Sequence, residues 1–259
     1  MFAVPVITFL TDLGNKDYYV PLMKGQILAA QPNANIIDIS HAVEPFHIAE
    51  AAFILKGCYK AFPQGTVHII TVDSEQELQP ACIMVRAAAQ YFICHDNGFI
   101  SLVLDETEIE EVINLPFFAE DLVFPGSRIF IPAALAVLEG KKMQTLGTPA
   151  NFLRKGNLLP VIEESIIRAS VVYIDNFGNA VTNLHQSDFE RYGAGRKFRI
   201  YISRQEYFQE ICKYYGEVPE GEKVCLFASD GFLEIAINKG NGSGLLGIKI
   251  GKTVLVEFL

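Results

Sequence analysis

Polar and acidic side chains directly follow four predicted strands in the first half of the chain. They are, in chain order, Asp12 after VPVITFL, Ser40 and His41 after NIIDI, Asp73 after TVHIITV, and Asp96 and Asn97 after YFICH. In α/β sheets, ligands bind beyond the carboxyl ends of the strands, so these side chains are candidates for binding or catalysis. Each one alone is equally typical of a helix cap or an Asx turn.

The elements that must position these residues alternate between strands and helices. VPVITFL, a helix from Tyr18 to Gln31 and ANIIDIS predict a β-α-β unit, and the order repeats with the helical HIAEAAFILKGCYKAF and the strand TVHIITVD. ACIMVRAAAQYFICHDNG predicts two strands with a tight connection, and SRIFIPAALAVLEG predicts a helix that Gly140 ends. We therefore expect an α/β fold that begins with a Rossmann-like layered domain, whose mainly parallel sheet is covered on both faces.

The pattern changes after NFLRKGNLLP. SIIRASVVYIDNFGNAVTNL, RKFRIYIS, KVCLFASDGFLEIAIN and KTVLVEFL are alternating or β-rich, are separated by Gly and Asn turns, and show little helical periodicity. They predict a second, antiparallel β domain. The expected domains are residues 1–152 and 163–259, joined by a linker at about 153–162.

Composition excludes several classes of protein. Hydrophobic residues make up 50% of the 259 residues and charged residues 20%, which supplies a core and argues against disorder. The formal net charge is −9 and no block of Lys or Arg occurs, so a nucleic-acid partner is not expected.

The cysteines and the first residues bear on the compartment. The five cysteines form no CxxC pair, which favours reduced thiols over a disulfide framework or a zinc site, and hence a cytoplasmic protein without a metal. The apolar start from Phe2 to Leu10 lacks a basic region and a cleavage site, and Asp12 stops it short of the roughly 20 residues that span a bilayer. We expect a buried first strand and no membrane partner.

Six stretches occur in an order that resembles the S-adenosylmethionine hydroxide adenosyltransferase family, whose relatives include fluorinase and chlorinase enzymes. They are TDLGNKDYYVPLMKG, TVD, HDNG, FPGSRIFIPAA, IDNFGNAVTNL and LFASDGFLEIAINKGN. The first and fifth match the family's TDFGxxDxYVGxMKG and IDxFGNxxTN patterns over many positions. The resemblance covers nearly the whole chain and implies a C-terminal β-barrel.

The resemblance also implies an adenosyl ligand, with S-adenosylmethionine as substrate rather than a separate cofactor. It implies a homotrimer whose sites lie between the N-terminal domain of one subunit and the C-terminal domain of its neighbour. The implied binding roles are Asp12 on the ribose hydroxyls, Phe46 at the sugar end, Asp175 and Asn179 at the amino-acid end, Phe177 and Tyr215 near the adenine, and Ser229 in the family's Asn-Ser-x-Gly turn, written here ASDG.

These implied roles agree with simple chemistry, because a carboxylate accepts two hydrogen bonds from a vicinal diol and aromatic faces stack on a purine. Structural alternatives exist for several of the residues. Phe46 and Tyr215 could be core residues, and IDNFGN could be only a hairpin turn.

The family reaction is an in-line displacement at the ribose C5′ carbon, in which water attacks and methionine leaves. Its hydrolytic members are thought to handle the water with an Asp, an Arg and a His. Here Asp73 matches the Asp, but Pro80 stands at the Arg position and Pro125 at the His position. Arg128, His68, Glu75 and His95 are nearby in sequence without a pattern that makes any of them a replacement.

Three functions remain open from the sequence. The first is hydrolysis of S-adenosylmethionine to adenosine and methionine with Asp73 positioning water; the second is a catalytically silent binding or sensing protein of the same fold. The third is a purely structural oligomer. A halogenase is disfavoured, because a carboxylate at Asp73 would repel a halide and RAAAQY leaves no room for the fluorinase insertion.

Overall fold

The computed structural model describes residues 6–73, 81–116, 123–156 and 159–259. The chain divides into two compact units, residues 1–156 and 157–259. The division falls inside the predicted linker. In the part of the chain that is described, no helix is long and apolar enough to cross a membrane.

The first unit is built on a seven-stranded sheet with the strand order β2-β1-β3-β5-β4-β6-β7. Its strands are β1 (Val6–Thr11), β2 (Asn35–Ser40), β3 (Val67–Thr71), β4 (Cys82–Ala87), β5 (Gln90–His95), β6 (Ile109–Leu115) and β7 (Thr148–Pro149). Strands β2, β1, β3, β5 and β6 run in one direction, and β4 and β7 run in the other. The sheet is therefore mostly parallel.

Helices cover both faces of this sheet. They are α1 (Tyr19–Ala30), α2 (Ile48–Lys56), α3 (Phe99–Val103) and α4 (Ile131–Leu138), and a π-helical turn, Gly126–Phe130, leads into α4. One apolar core contains Met23 of α1 and Ala134 of α4, and the other contains Leu55 of α2 and Val103 of α3. Because both faces are covered, β1 and β3 are buried at every position and appear as continuous apolar runs.

Helix α2 is shorter than its sequence pattern predicts. HIAEAAFILKGCYKAF has helical spacing throughout, but α2 ends at Lys56 and a separate 3₁₀ turn covers Tyr59–Ala61. The chain turns here and buries the Tyr59 ring against Phe92, with ring centroids 5.6 Å apart. Tertiary burial of one aromatic residue overrides the local helical pattern.

The second unit is a nearly closed, barrel-like antiparallel sheet. Its strands are β8 (Val161–Ile162), β9 (Ile166–Ile174), β10 (Ala180–His185), β11 (Phe198–Tyr201), β12 (Tyr207–Phe208), β13 (Lys223–Phe227), β14 (Phe232–Ile237) and β15 (Thr253–Phe258). They run in the order β12-β11-β15-β9-β10-β14-β13, with β8 paired to β9. Just beyond β12, Cys212 bridges to Leu226 of β13, which brings the two ends of the sheet together.

Two helices in the second unit were not expected from its β-rich sequence. They are α5 (Gln186–Gly193) and α6 (Gly242–Leu245). In α5, His185 accepts a hydrogen bond from the Ser187 backbone at the helix start, and Phe189 packs against Phe198, Phe227 and Phe258. The sequence QSDFERYG is mostly polar and has no apolar repeat that would predict a helix. The helix packs on the unit mainly through one aromatic side chain, Phe189.

A buried histidine ties together the parallel strands of the first unit. His68 Nδ1 lies 2.7 Å from Thr8 Oγ1, and His68 Nε2 lies 3.2 Å from Gln90 Oε1. The amide of Gln90 donates to the backbone oxygens of Tyr59 and Phe62, so its Oε1 atom faces the imidazole. Burial lowers the pKa of His68 to about 4, while the hydrogen bond to Gln90 opposes the shift. His68 is therefore a neutral core residue that joins β1, β3 and β5.

We expect the first unit to lose stability in mild acid because of this residue. A histidine with a lowered pKa contributes stability that is present above pH 6.5 and is lost as the pH falls towards 4. The loss is at most about 1.4 kcal/mol per pH unit for one proton. Urea unfolding between pH 7 and pH 4.5 measures it.

His68→Gln should reduce this pH dependence, because glutamine can keep hydrogen bonds in place without taking up a proton; His95, whose pKa burial also lowers to about 4, accounts for part of what remains. His47→Asn, at the start of α2, is the matched control for the removal of a histidine. Equal slopes for wild type and His68→Gln would contradict the interpretation.

Candidate functional site

The first cluster of predicted site residues lies where the strand order of the first sheet reverses. The chain passes from β1 to β2 on one side of β1, and then to β3 on the other side. Crevices at such switch points, outside the carboxyl ends of the strands, are the usual ligand sites of open α/β sheets. Asp12 follows β1 and Asp73 lies two residues beyond β3, so both border this point.

One oxygen of Asp12 holds the two neighbouring segments in place. Asp12 Oδ2 accepts a hydrogen bond from the backbone N–H of Phe46 at 2.9 Å and from that of Asp73 at 3.2 Å. Phe46 and Asp73 both have positive φ angles, 67° and 53°, which are strained for residues with side chains. The other oxygen, Oδ1, accepts no hydrogen bond from the described residues. Asp12 therefore organises the crevice and keeps one oxygen available for a ligand.

Phe46 is exposed, with 62% of its surface accessible. It is therefore not a core residue within the first unit, although that was one reading of the sequence. The strained backbone of Phe46 and the position of its ring beside Asp12 make it a candidate ligand contact.

Asp73 is a buried carboxyl group. It is only 2% exposed, and its Oδ2 atom has no hydrogen-bond partner among the described residues. Burial raises its pKa, the positive charge of Lys155 acts against that rise, and the negative charge of Asp12 adds to it. Asn97 fixes the backbone, because its side-chain amide donates to the carbonyls of Val72 and Asp73. The group is a positioned carboxyl whose free oxygen can bind or deprotonate a ligand atom.

Two more buried polar atoms without a partner lie near the strand ends. They are Thr71 Oγ1, at the end of β3, and His95 Nε2, at the end of β5; each residue is 2% exposed. The other ring nitrogen of His95 lies 3.8 Å from Cys82 Sγ. Burial lowers the pKa of His95 to about 4, so its imidazole is neutral at pH 7.

The segment around Pro125 packs on these strand ends. Phe124 has a φ of +80°, Pro125 is buried, and the π-helical turn starts at Gly126. A Cβ atom on Gly126 would lie 2.8 Å from Thr71 Cγ2, so only glycine fits there. The Arg128 side chain is exposed. Pro80 and Glu75 lie outside the described residues.

The second cluster lies in a pocket of about 610 Å³ within the barrel-like unit. The pocket is lined by Asp175, Phe177, Asn179, Tyr215, Ile237, Asn238, Lys239, Gly240 and Asn241. Four of the residues predicted to bind substrate thus share one cavity, whose volume is typical of sites for small ligands. Among the described residues of the chain, no group of three metal-ligating side chains occurs.

Asp175 and Asn179 form the turn between β9 and β10. Asp175 Oδ1 accepts from the backbone N–H groups of Phe177 and Asn179, and its Oδ2 accepts from the Asn179 side chain. Gly178 has a φ of +83°, and a Cβ there would lie 2.4 Å from Asn241 Oδ1. The stretch is therefore a tight turn, as one reading proposed, and the turn also projects Phe177, 75% exposed, at the pocket.

Tyr215 is anchored by a buried acid. Its hydroxyl donates to Glu234 Oε1 at 2.6 Å, and Glu234 on β14 is only 4% exposed. Burial raises the pKa of Glu234, the hydrogen bond from Tyr215 lowers it, and Asp175 and Asp230 raise it. The hydrogen bond fixes one end of the ring, and 40% of the Tyr215 surface remains accessible.

The pocket differs from the predicted set in two respects. Ser229 does not line it, but lies exposed in the hairpin turn between β13 and β14. Residues 237–241, which do line it, were not singled out. Ile237 ends β14 and residues 238–241 directly follow it, so the signal of polar residues after a strand, used for the first half of the chain, points to Asn238, Lys239 and Asn241.

Comparison with known proteins identifies the family of the chain. Residues 7–147 match the SAM hydroxide adenosyltransferase N-terminal domain, and residues 169–255 match the C-terminal domain of the same family. The chain belongs to the SAM hydroxide adenosyltransferase family.

Relatives within this family carry two kinds of name. An (R)-S-adenosyl-L-methionine hydrolase from Methanocaldococcus jannaschii is 29% identical, covering 94% of this chain and 92% of that protein. A hydrolase of the same name from Thermus thermophilus is 28% identical over 96% and 98% of the two chains. A fluorinase from Actinoplanes sp. is 24% identical over 97% of each.

The fold is also that of solved family-like structures. An uncharacterized conserved protein from Thermotoga maritima has a TM-score of 0.86 and 31% identity, covering 96% of this chain and 99% of its own. A conserved hypothetical protein from Thermus thermophilus has a TM-score of 0.77 and 27% identity, covering 98% and 100%. Membership of the SAM hydroxide adenosyltransferase family, with hydrolases among the relatives, supports an enzymatic role.

Substitutions at Asp12 test the organisation of the first cluster. Asp12→Ala leaves the N–H groups of Phe46 and Asp73 without their acceptor, and should lower the free energy of unfolding by about 1–3 kcal/mol. Asp12→Asn keeps an acceptor oxygen, so its loss should be smaller. Urea denaturation of the three proteins at pH 7 gives the comparison.

Asp17→Ala serves as the control, because this exposed acid lies in the same loop outside the hydrogen bonds described above. It should change stability little. If Asp12→Ala were as stable as wild type, the proposed organising role of the carboxylate would be wrong.

Proposed function

We propose that this protein hydrolyses S-adenosylmethionine to adenosine and methionine by in-line attack of water at C5′. The observation that carries the proposal is the hydrogen bond at the switch point by which the Asp12 carboxylate holds the backbone of Asp73, whose N–H donates to Asp12 Oδ2. A ribose-binding carboxylate and a carboxyl with a free oxygen are thereby kept at a fixed spacing.

Asp12 suits the ribose end of the ligand. A carboxylate can accept hydrogen bonds from two vicinal hydroxyls, and the Oδ1 atom of Asp12 accepts none from the described residues. Phe46, whose backbone is fixed by the same carboxylate, offers an exposed ring at the sugar end. The role of each follows from the family pattern and agrees with the geometry.

Asp73 is suited to position the attacking water and to accept its proton. The leaving sulfur departs as a neutral thioether, so no general acid is needed, and catalysis depends on aligning water and receiving its proton. A buried carboxyl with a raised pKa is a better proton acceptor than an exposed one. Its negative charge would repel a halide ion, which disfavours fluorinase chemistry in this chain.

The pocket of the second unit suits the remaining parts of the substrate. Phe177 and Tyr215 offer aromatic faces for the adenine, and Asn179 lies beside them for the amino-acid end. Asp175 acts mainly through the turn that it holds, because both of its oxygens already accept hydrogen bonds from that turn. Ser229 has no contact in this pocket, and its assignment rests on the sequence pattern alone.

Incubation with S-adenosylmethionine, followed by chromatography of adenosine, tests the reaction. We expect adenosine and methionine in equal amounts above a buffer control, and an Asp73→Asn variant slowed by about 10²-fold or more. Calorimetry should show that Asp73→Asn still binds adenosine, whereas Asp12→Asn binds it roughly tenfold more weakly. Binding without any adenosine formation would favour a silent binding protein over an enzyme.

Stability separates a catalytic effect of Asp73→Asn from unfolding. A carboxyl with a raised pKa in the folded state contributes stability that is present below the unfolded pKa and is lost as the pH rises through the folded pKa. The neutral asparagine should therefore be more stable than wild type at pH 8, and the difference should shrink towards pH 4. A variant that is inactive and less stable at pH 8 would contradict this account of Asp73.

Under this proposal the two clusters form shared sites in a homotrimer, and each site takes the first cluster from one subunit and the second cluster from its neighbour. Support comes from the family pattern and from the occurrence of one set of ligand-type residues in each compact unit. Light scattering should give a mass of about three times the 28.7 kDa of one chain.

Mixed oligomers of two inactive variants give a sharper test. Asp73→Asn and Tyr215→Ala subunits, co-expressed with different tags and purified together, should regain activity, because some sites then receive two intact halves. Asp73→Asn co-expressed with itself is the control. A monomer, or mixed oligomers that remain inactive, would rule out the shared site.

A further inference from the structure

Thr71 and His95 are neighbours on the same face of the first sheet. Strands β3 and β5 are parallel, with Ile69 paired to Ile93, and Thr71 and His95 each lie two residues further along. Ile69 and Ile93 belong to the core on the α1 and α4 side. Because side chains alternate in a strand and paired strands lie about 4.8 Å apart, Thr71 and His95 stand side by side on that face.

The segment that carries Pro125 covers this pair. A Cβ on Gly126 would touch Thr71 Cγ2, and the Phe130 ring lies 5.1 Å from the His95 ring. The π-helical turn Gly126–Phe130 therefore packs across both side chains, directly after the position where the family places its histidine. π-Helical turns inside helices are frequent at functional sites.

Three buried polar atoms at this end of the sheet have no hydrogen-bond partner among the described residues. They are Thr71 Oγ1, Asp73 Oδ2 and His95 Nε2. Leaving a buried polar atom unpaired costs free energy, and native proteins rarely do so without a bound water, an ion or a catalytic role. The set combines a hydroxyl, a carboxyl and a neutral imidazole, which together can donate to and accept from one water molecule.

We propose that Thr71, Asp73 and His95 bind the nucleophilic water, and that the imidazole of His95 on β5 replaces the one absent at Pro125. The inference rests on the proposed hydrolysis and assigns its water site. The family's set of Asp, Arg and His contains no threonine, and its histidine lies at the position of Pro125 rather than on β5. The roles of Thr71 and His95 therefore do not follow from the family pattern.

The step is balanced by the groups named. The water oxygen forms a bond to C5′ as the C5′–S bond breaks, and the electron pair of that bond stays on sulfur, giving neutral methionine. The proton released by water passes to the Asp73 carboxylate and then to solvent. Thr71 and His95 orient the water by hydrogen bonds, so that a lone pair points at C5′.

Substitutions that remove each hydrogen bond test the water site. His95→Phe should lower kcat for adenosine formation by about 10²-fold, and Thr71→Val by roughly tenfold, with KM little changed. Thr71→Ser and His95→Gln keep polar atoms and should recover much of the rate. Neither His95→Phe nor Thr71→Val should lower thermal stability strongly, since each removes an unpaired buried polar atom.

His68→Gln is the matched control, because His68 is also buried on β3 but has partners at both nitrogens. It should change stability while leaving kcat per folded molecule unchanged. Rates of His95→Phe and Thr71→Val within about twofold of wild type, for folded protein, would overturn the proposal.

A crystal structure of the wild-type protein, at a resolution that shows ordered waters, separates this proposal from the hydrolase assignment. It should show a water within about 3.2 Å of His95 Nε2, Thr71 Oγ1 and Asp73 Oδ2. The water should be present even if no hydrolysis is detected, in which case the proposed function fails and the water site survives. No water at these atoms would reject the site, whatever the activity.

Discussion

The hydrogen bonds accepted by Asp12 Oδ2 are the interaction on which the first cluster depends. Two backbone segments far apart in sequence, at Phe46 and Asp73, donate to the same oxygen, and both residues have positive φ angles. Such conformations persist only when the surroundings impose them. A single carboxylate therefore fixes the backbone at the exposed Phe46 and at the buried Asp73, while its other oxygen accepts no hydrogen bond from the described residues. Its position follows from the sheet, because β1 lies between β2 and β3, and Asp12 directly follows β1 at the point where the strand order reverses.

Sequence reasoning located the parts of the site that depend on the order of elements. Asp12 and Asp73 could be predicted because buried parallel strands produce continuous apolar runs, and the residue after such a run lies at the sheet edge. Asp175, Phe177, Asn179 and Tyr215 came from the family pattern, and they share one pocket. Membership of the family and the mostly parallel first sheet were confirmed. The assigned roles of the site residues, the trimer and the compartment stay predictions.

The features that could not be predicted arise from tertiary contacts, which leave no pattern in the neighbouring sequence. Helix α5 is polar in sequence and depends on Phe189 packing among three other phenylalanines. Ser229 was assigned from a short turn pattern, which says nothing about whether the turn faces a pocket. His95 resembled a lone core histidine, like His68, because one-dimensional spacing cannot show which imidazole finds partners. His68 has two partners, and His95 Nε2 has none among the described residues.

Several features that lower stability are concentrated in one part of the first unit. Unpaired buried polar atoms and strained backbones are destabilising, and selection for stability alone would remove them. Valine at Thr71 or phenylalanine at His95 would relieve such a cost by removing the unpaired polar atom. The unpaired polar atoms belong to Thr71, Asp73 and His95, at or just beyond the ends of β3 and β5. The strained backbones are those of Asp73 and of Phe46, and Asp12 holds both by hydrogen bonds. Pro125 stands at the position of the family's histidine, and the segment that follows it packs on Thr71 and His95. Under the proposed hydrolysis these groups hold the attacking water, and a scaffold without that task would gain stability by losing them.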